Sequence, residues 1–164
     1  MTTERIGHEA FRRRLTTAEE AATQVCHGDT IATSGFGAGG TPKALPRAIA
    51  ARATEFHARG EPFVVRLFTG ASTSPAVDGA LAQADAVSFR LPYMSDAAMR
   101  PRINDGHIGY VDTHLSRVAP WARAGFFGKV DTAIVEAACV RLDGGIVPTF
   151  AIGNAQTWLD MAER

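Results

Sequence analysis

The 164-residue sequence has few cysteines, few lysines and no net charge. Cys26 and Cys139 are far apart and form no C-x-x-C motif, which favours reduced structural thiols over a metal or redox site. Lys43 and Lys129 are the only lysines, and the arginines are scattered among acids, so no basic face for nucleic acid is expected. The densest positive run, at residues 12–14, predicts a solvated arm or a subunit contact.

Long apolar runs are also missing. No stretch is long and apolar enough to span a bilayer, and residues 1–15 lack the apolar core of a signal peptide. We therefore expect a cytoplasmic protein without a membrane segment. The five histidines show no i, i+4 pairing, so no metal site is predicted. A hydrophobic fraction of 46% is enough for one domain with a sizeable core.

Glycine is concentrated in one turn, Gly35-x-Gly37-x-x-Gly40, which follows a predicted strand at residues 29–33. After this glycine turn (residues 35–40), Thr41 predicts the N-cap of a helix and Pro42 its first residue. The helix is expected to end near Arg59, before Gly60. A strand, a glycine turn and a helix in this order are the context of a dinucleotide-binding fingerprint.

That fingerprint also requires an acidic residue at the end of the next strand. The next strand is predicted at residues 62–68 and continues into residues 69–73, which contain no acid. The nearest acids, Glu55 and Glu61, precede the strand, so a nicotinamide or flavin site is disfavoured. The glycines still predict close approach of the backbone to a ligand or to a packed neighbour, and both readings are left open.

Strands and helices alternate along the chain, which predicts an α/β fold with a mostly parallel open sheet and helices on both faces. Further strands are predicted at residues 86–91 and over the apolar run 130–139, and a hairpin turn at residues 143–145. Residues 94–112 predict only turns and short helical pieces. The other predicted helices occupy residues 17–27, residues 76–84, a stretch beginning at Thr113, and residues 155–164.

The last predicted helix reaches Arg164 without a C-cap, a glycine stop or a tail. A crossover helix normally delivers the chain to another strand. We therefore expect the domain to be truncated at its C-terminus.

Six segments carry a family resemblance: residues 34–43, 67–75, 89–92, 100–104, 143–149 and 153–157. In this order they resemble the N-terminal domain of the acetyl-CoA hydrolase/transferase family, within the class I CoA-transferases, and in particular the succinyl-CoA:acetate CoA-transferases. The resemblance extends from about Arg5 to Arg164. It implies that residues 1–164 are an incomplete N-terminal domain of the class I CoA-transferase type, and that the C-terminal catalytic domain is absent.

The resemblance implies a reaction in which a glutamate carboxylate attacks an acyl-CoA thioester, giving an acyl anhydride and then a glutamyl-CoA thioester. A second carboxylate then accepts CoA, and water in its place gives hydrolysis. The nucleophile, the oxyanion donors and most CoA contacts of the family belong to the C-terminal domain, so no catalytic residue is assigned in this chain. Coenzyme A enters as a thioester substrate, and no other cofactor is implied.

The implied partners are an acyl-CoA, a small carboxylate such as acetate or succinate, and the C-terminal domain of the same enzyme. A second copy of the chain, in a homo-oligomer, is left open as a further partner. No nucleic acid or membrane is expected.

The resemblance places the glycine turn at the carboxyl end of the first strand, facing the cleft between the two domains. The Gly70 turn (residues 70–73) ends the second strand at the same edge, where open α/β sheets bind ligands. We therefore expect the two turns to lie side by side and to line an acyl or carboxylate pocket. The predicted substrate-binding residues are Gly35, Gly37, Gly39, Gly40, Gly70, Ala71, Ser72 and Thr73.

Glu136 is an isolated carboxylate within the apolar run 130–139, where burial without a partner would be costly. We interpret it as a residue at the mouth of the strand, hydrogen-bonded to neighbouring backbone or to Arg90 or Arg100, and not as the nucleophile.

The sequence thus predicts the N-terminal portion of an acyl-CoA:carboxylate CoA-transferase or acetyl-CoA hydrolase, inactive alone, with an apolar face exposed where a second domain would lie. The alternative is a non-catalytic binding or assembly module that retains the fold. The acyl group, and the choice between transfer and hydrolysis, are left open.

Overall fold

Five short parallel strands form the central sheet of the computed structural model, which describes residues 3–164. In chain order they are β1 Thr30–Thr33, β2 Val65–Phe68, β3 Val87–Leu91, β4 Gly109–Tyr110 and β5 Thr132–Ile134. They lie in the order β4-β3-β2-β1-β5, and each neighbouring pair is parallel. The predicted α/β fold with a parallel sheet is confirmed.

Helices cover both faces of this sheet. They are α1 Glu9–Arg12, α2 Ala18–Ala22, α3 Ala44–Ala58, α4 Ala80–Gln83, α5 Met99–Asn104, α6 Leu115–Arg123 and α7 Ala155–Met161. Successive strand residues point to opposite faces. Leu67 packs into the core under α2 to α5, whereas its neighbour Phe68 packs with Val118 of α6 and Trp158 of α7. Within the described residues, no helix is both long and apolar enough to cross a bilayer.

Helix α3 begins later than its sequence predicts. The helix starts at Ala44, and Lys43 rather than Thr41 occupies the N-cap position. The hydroxyl of Thr41 donates to the carbonyl of Ala38 at 3.1 Å, so this side chain is hydrogen-bonded within the glycine turn, three residues before the helix begins. The predicted stop is confirmed, because the backbone N–H of Gly60 donates to His57 at 2.9 Å and Gly60 has φ +74°.

The apolar run 130–139 forms two strands instead of the one predicted. Strand β5 ends at Ile134, and β6 (Ala137–Val140) pairs antiparallel with β7 (Ile146–Pro148) in a separate two-stranded sheet. The break falls there because β1 is only four residues long, so Ile134 is paired with the last residue of β1 and the following residues find no partner in the main sheet. The predicted hairpin at residues 143–145 is confirmed.

Strand β4 is missed by the sequence patterns, which predict only turns and helical pieces at residues 94–112. It consists of two residues, Gly109 and Tyr110, paired with Phe89 and Arg90 of β3. A two-residue strand is too short to show an alternation of apolar and polar residues, so only its pairing with β3 identifies it. Helix α2 begins where the sequence predicts, since the hydroxyl of its N-cap Thr17 accepts a hydrogen bond from the N–H of Glu20 at 3.1 Å.

Asp131 ties β5 to β1 at the amino end of the sheet. Its carboxylate accepts from the backbone N–H of Thr30 at 2.8 Å and pairs with Lys129 at 2.5 Å. Burial by itself raises the pKa of Asp131, but the hydrogen bonds from Lys129 and Thr30 outweigh it, so the pKa is lower than its ordinary value of 3.8. The charged form is therefore favoured by folding.

We expect Asp131→Asn to lower the free energy of unfolding at pH 7 by about 1–2 kcal/mol, because hydrogen bonds to a charged group are lost. The carboxylate stabilises the fold above pH 3.8, and this contribution disappears as the pH falls below that value. The difference between the two proteins in urea unfolding should therefore shrink on acidification. Asp160→Asn, which removes an exposed pair with Arg123, is the control and should change stability by at most about 0.5 kcal/mol. A difference that does not shrink as the pH is lowered would contradict this account.

Candidate functional site

The order of strands reverses at β1, which has β2 on one side and β5 on the other. In open α/β sheets a crevice opens at the carboxyl ends of the strands at such a reversal, and ligands bind there. Ser34 follows β1, and Val135 and Glu136 follow β5. All three line a cavity of about 260 Å³, whose remaining walls come from Gly40, the β6–β7 hairpin and residues 151–159. The candidate site is therefore at the position that the topology favours.

The two predicted turns lie side by side at this edge. The N–H of Gly37 donates to the carbonyl of Ala71, and the N–H of Thr73 donates to the carbonyl of Gly37, both at 3.1 Å. Gly37 and Ser72 thereby form a parallel bridge that continues the sheet beyond its strands. The predicted adjacency of the glycine turn and the Gly70 turn is confirmed.

The glycines of the turn are explained by packing at one position and by conformation at another. A Cβ atom on Gly39 would overlap the ring of Phe150, so this glycine is required by a packed neighbour. Gly37 has no such neighbour within 4 Å, but its φ of +55° is one that residues with a side chain rarely adopt. The packed-neighbour reading is thus confirmed at Gly39. Gly37 faces open space, and close approach to a ligand stays a prediction there.

A short stretch between β7 and α7 lies over the glycine turn, and we call it the cover segment (residues 150–154). Phe150 contacts Gly39, and Ala151 lies against Gly40. The backbone N–H of Asn154 donates to the hydroxyl of Ser34 at 2.7 Å. The cover segment therefore packs on the glycine turn and forms one wall of the cavity.

A buried ion pair is hydrogen-bonded to the backbone of the Gly70 turn. Arg90 of β3 and Asp78 are fully buried, and their side chains meet at 2.8 Å. Arg90 also donates to the carbonyl of Ser72 at 3.0 Å, and Asp78 accepts from the N–H of Ser74 at 2.8 Å. Burial raises the pKa of Asp78, while the positive charge of Arg90 opposes that shift. The pair therefore fixes the second half of the turn, through Ser72 and the following Ser74.

Glu136 has different partners from those predicted. Its carboxylate accepts hydrogen bonds from Lys43 Nζ and, at 2.6 Å, from the hydroxyl of Thr149. The predicted partner Arg90 is instead committed to Asp78. Burial raises the pKa of Glu136, but the hydrogen bonds from Lys43 and Thr149 outweigh it, so the pKa lies below its ordinary value of 4.5. Glu136 is thus a paired carboxylate in the cavity lining, just after the end of β5. Its predicted place at the end of a strand is confirmed, whereas its predicted arginine partners are wrong.

The cavity is mostly apolar. Among the described residues that line it, Glu136 is the one that carries a charge, and Lys43 balances that charge. The hydroxyl of Ser34 and the amide of Gln156 are the other polar side chains in the lining. Apolar walls with a few placed polar groups suit a small organic ligand with an apolar body and a polar end.

The predicted substrate-binding residues are distributed unevenly around this cavity. Gly40 lines it, whereas Gly35, Gly37 and Gly39 are not among its lining residues. Ser72 is buried beneath the edge, and Ala71 and Thr73 are half-buried beside Gly37. A role of these residues in binding substrate stays a prediction.

Sequence reasoning missed Ser34 and Gln156. Ser34 could have been found, because it is the first residue after a predicted strand, where ligand-binding groups concentrate. Gln156 offered no such signal, since it lies in a helix brought to the site by the long-range packing of Trp158 against Phe68.

Both cysteines are free thiols, with Cys26 exposed and Cys139 half-buried. Across residues 3–164, no group of three or more histidine, cysteine, aspartate or glutamate side chains is arranged to hold a metal ion.

The comparisons with known proteins agree with this geometry. The model of the acetyl-CoA hydrolase/transferase N-terminal domain family matches residues 2–164, and the chain belongs to this family. The predicted family resemblance is confirmed.

Two curated relatives are CoA-transferases. The propanoyl-CoA:succinate CoA transferase of Escherichia coli is 49% identical over 148 residues, which are 90% of this chain and 30% of the relative. The succinyl-CoA:acetate CoA-transferase of Clostridium kluyveri is 37% identical over 164 residues, which are 100% of this chain and 30% of the relative. The acetyl-CoA hydrolase of Schizosaccharomyces pombe is 29% identical in an alignment of 167 positions, gaps included, that covers 98% of this chain and 32% of the relative. This chain thus spans about 30% of the length of the transferases that it matches.

Solved structures share the fold. RipA from Yersinia pestis matches with a TM-score of 0.60 and 24% identity, over 88% of this chain and 32% of RipA. The decarboxylase AibA/AibB, solved as a variant with serine in place of one cysteine, matches with a TM-score of 0.53 and 20% identity, over 68% of this chain and 43% of that one. At sequence identities of 24% and 20%, these matches indicate a shared fold only.

We expect Gly39→Ala to lower the free energy of unfolding by about 1–3 kcal/mol, because the added methyl group overlaps the ring of Phe150. Combining it with Phe150→Ala should recover most of that loss, since the second change removes the obstructing ring. Urea unfolding of the two single variants and the double variant gives the coupling between them. Additive effects would show that packing against Phe150 is not what requires glycine here.

Proposed function

We propose that this chain contributes one side of the active site of an acyl-CoA:carboxylate CoA-transferase or acyl-CoA hydrolase. The observation that carries the proposal is the cavity at the strand reversal, lined by Ser34, Gly40 and Glu136, in a chain of this family. The apolar walls would hold the acyl group, and the polar groups at the rim would face its carbonyl or carboxylate end.

The chemistry of the proposed reaction needs a nucleophile from elsewhere. A glutamate carboxylate of a C-terminal domain attacks the thioester carbonyl, the C–S bond breaks, and CoA leaves as a thiolate. The thiolate then attacks the glutamyl carbonyl of the anhydride and releases the acyl group as a carboxylate. A second carboxylate reverses these steps and accepts CoA, whereas water gives hydrolysis. In this scheme Glu136 is not the nucleophile, because Lys43 and Thr149 already occupy its oxygens.

The substrates are proposed from the chemistry of the relatives. The Escherichia coli and Clostridium kluyveri relatives are named for propanoyl-CoA, succinyl-CoA, succinate and acetate. A cavity of about 260 Å³ can hold an acyl group of that size. We therefore propose short acyl-CoA thioesters and small carboxylates as the substrates of the complete protein.

Exposed apolar side chains around the cavity support docking of a second domain. Phe36 of the glycine turn is 65% exposed, and Phe150 of the cover segment is 75% exposed. Ile152 and Leu159, which line the cavity, are 54% and 39% exposed. Apolar groups gathered at the rim of a cleft are typical of a surface that another part of the protein covers.

Purified residues 1–164 should show no CoA-transferase or thioesterase turnover, because loss of a covalent nucleophile and its oxyanion donors costs several powers of ten in rate. CoA release and acetate-dependent CoA transfer are assayed with acetyl-CoA and propanoyl-CoA, and mass spectrometry excludes contaminating full-length enzyme. Adding the separately expressed C-terminal part of the Escherichia coli relative should restore turnover.

Two outcomes would count against this proposal. Turnover by residues 1–164 alone at rates ordinary for an enzyme, abolished by Glu136→Gln, would place the nucleophile in this chain. Stable association with the C-terminal part without any turnover would instead favour a non-catalytic assembly module.

In the reconstituted protein, Gly37→Ala should lower kcat/KM for acetyl-CoA by about tenfold or more, because a methyl group would enter the space where substrate approaches the backbone. Gly60→Ala is the matched control. It imposes the same backbone strain, since Gly60 has φ +74° and no neighbour within 4 Å, but it lies at the far end of α3. Both variants should lose similar stability, about 1–2 kcal/mol. Equal losses of activity would show that Gly37 acts through folding.

A further inference from the structure

Glu136 connects the base of the β6–β7 hairpin, where Thr149 lies opposite it, to Lys43 near the glycine turn. Glu136 itself lies in the link between β5 and β6, Lys43 lies between the glycine turn and α3, and Thr149 lies directly before the cover segment. One carboxylate oxygen accepts from Lys43 Nζ and the other from the Thr149 hydroxyl at 2.6 Å. Lys43 Nζ also donates to the carbonyl of Thr41 at 2.9 Å. The carboxylate thus connects the glycine turn to the start of the cover segment.

The cover segment packs on the glycine turn, and a hydrogen bond lies at each of its ends. It follows the β6–β7 hairpin, which forms a sheet of its own beside the five-stranded one. At its far end, Asn154 is held by the hydroxyl of Ser34 at 2.7 Å. At its near end, Thr149 is held by Glu136. These two hydrogen bonds therefore anchor both ends of the cavity wall that the cover segment forms.

We propose that Glu136 is a positioning residue that holds the cover segment over the glycine turn, so that it sets the width of the cavity and the size of the acyl group that fits. The substrate part of this inference rests on the proposed function, and the positioning part does not. Glu136 acts through Thr149 and the cover segment and contributes no bond to the reacting atoms.

The Lys43–Glu136 ion pair is partly exposed, which favours a local role in holding the cover segment over a contribution to global stability. The side chains of Lys43 and Glu136 are 53% and 25% exposed, and ion pairs in such surroundings contribute little to global stability. Changing Glu136 should therefore leave the fold intact and alter only the segment that it anchors. That separation makes the inference testable on the chain alone.

Hydrogen exchange followed by mass spectrometry tests the positioning role. In Glu136→Gln we expect exchange in a peptide covering residues 146–161 to become about two- to fivefold faster, with α3 and β1 unchanged. Glu61→Gln is the matched control, since it makes the same chemical change and removes an exposed pair with Arg59 at 2.9 Å far from the cavity. Unchanged exchange in residues 146–161, or a uniform increase along the chain, would overturn the inference.

Exchanging the two charges distinguishes loss of the Lys43–Glu136 ion pair from a general effect of substitution. Lys43→Glu should speed exchange in residues 146–161, because two carboxylates would then repel each other. Adding Glu136→Lys should restore protection by rebuilding the pair with its charges reversed. Failure of the double variant to recover, when both single variants are folded by circular dichroism, would contradict a role for this pair.

In the reconstituted protein, Glu136→Gln should change selectivity between acyl chains. We expect the ratio of kcat/KM for hexanoyl-CoA to that for propanoyl-CoA to rise about threefold or more, mainly through KM, because a wider cavity favours the longer acyl chain. An equal fall in kcat for both substrates would contradict the specificity role. If reconstitution gives no turnover at all, the proposed function fails while the exchange experiments still decide the positioning role.

Discussion

The carboxyl edge of the sheet depends on one buried ion pair, between Arg90 of β3 and Asp78. Neither side chain is accessible to water, so each charge relies on the other and on nearby backbone groups. Removing one partner of such a pair typically costs about 3–5 kcal/mol, because the remaining charge stays buried. The hydrogen bonds from Arg90 to Ser72 and from the N–H of Ser74 to Asp78 convert this electrostatic constraint into a fixed shape for the Gly70 turn.

The candidate site is built outward from that turn. The Gly70 turn holds the glycine turn through the paired hydrogen bonds of Gly37, and the glycine turn in turn receives the cover segment, where Phe150 fits against Gly39. The position of the cover segment therefore depends on the glycine turn, and the position of the glycine turn depends on the Gly70 turn. The result is a cavity at the strand reversal whose walls are formed by these three packed segments.

Two carboxylates near this edge have different roles because their surroundings differ. Asp78 lies beneath the turn with no access to water, and its pair with Arg90 supports the fold. Glu136 lies at the mouth of the cavity, partly exposed, and its partners Lys43 and Thr149 belong to segments that line or cover the site. Because Asp78 is buried, its pair stabilises the sheet. Because Glu136 is partly exposed, changing it can alter the cover segment without unfolding the protein.

The sequence by itself determined the strands β1, β2 and β3, the helices between them, and the adjacency of the two turns, because periodic apolar residues and glycines act locally and parallel strands end at one edge. Only the tertiary structure decided where the run 130–139 breaks, since that depends on the length of β1. It also decided that Glu136 pairs with Lys43, which lies 93 residues away in the chain. Contacts of this kind are set by how whole elements pack, and no local pattern encodes them.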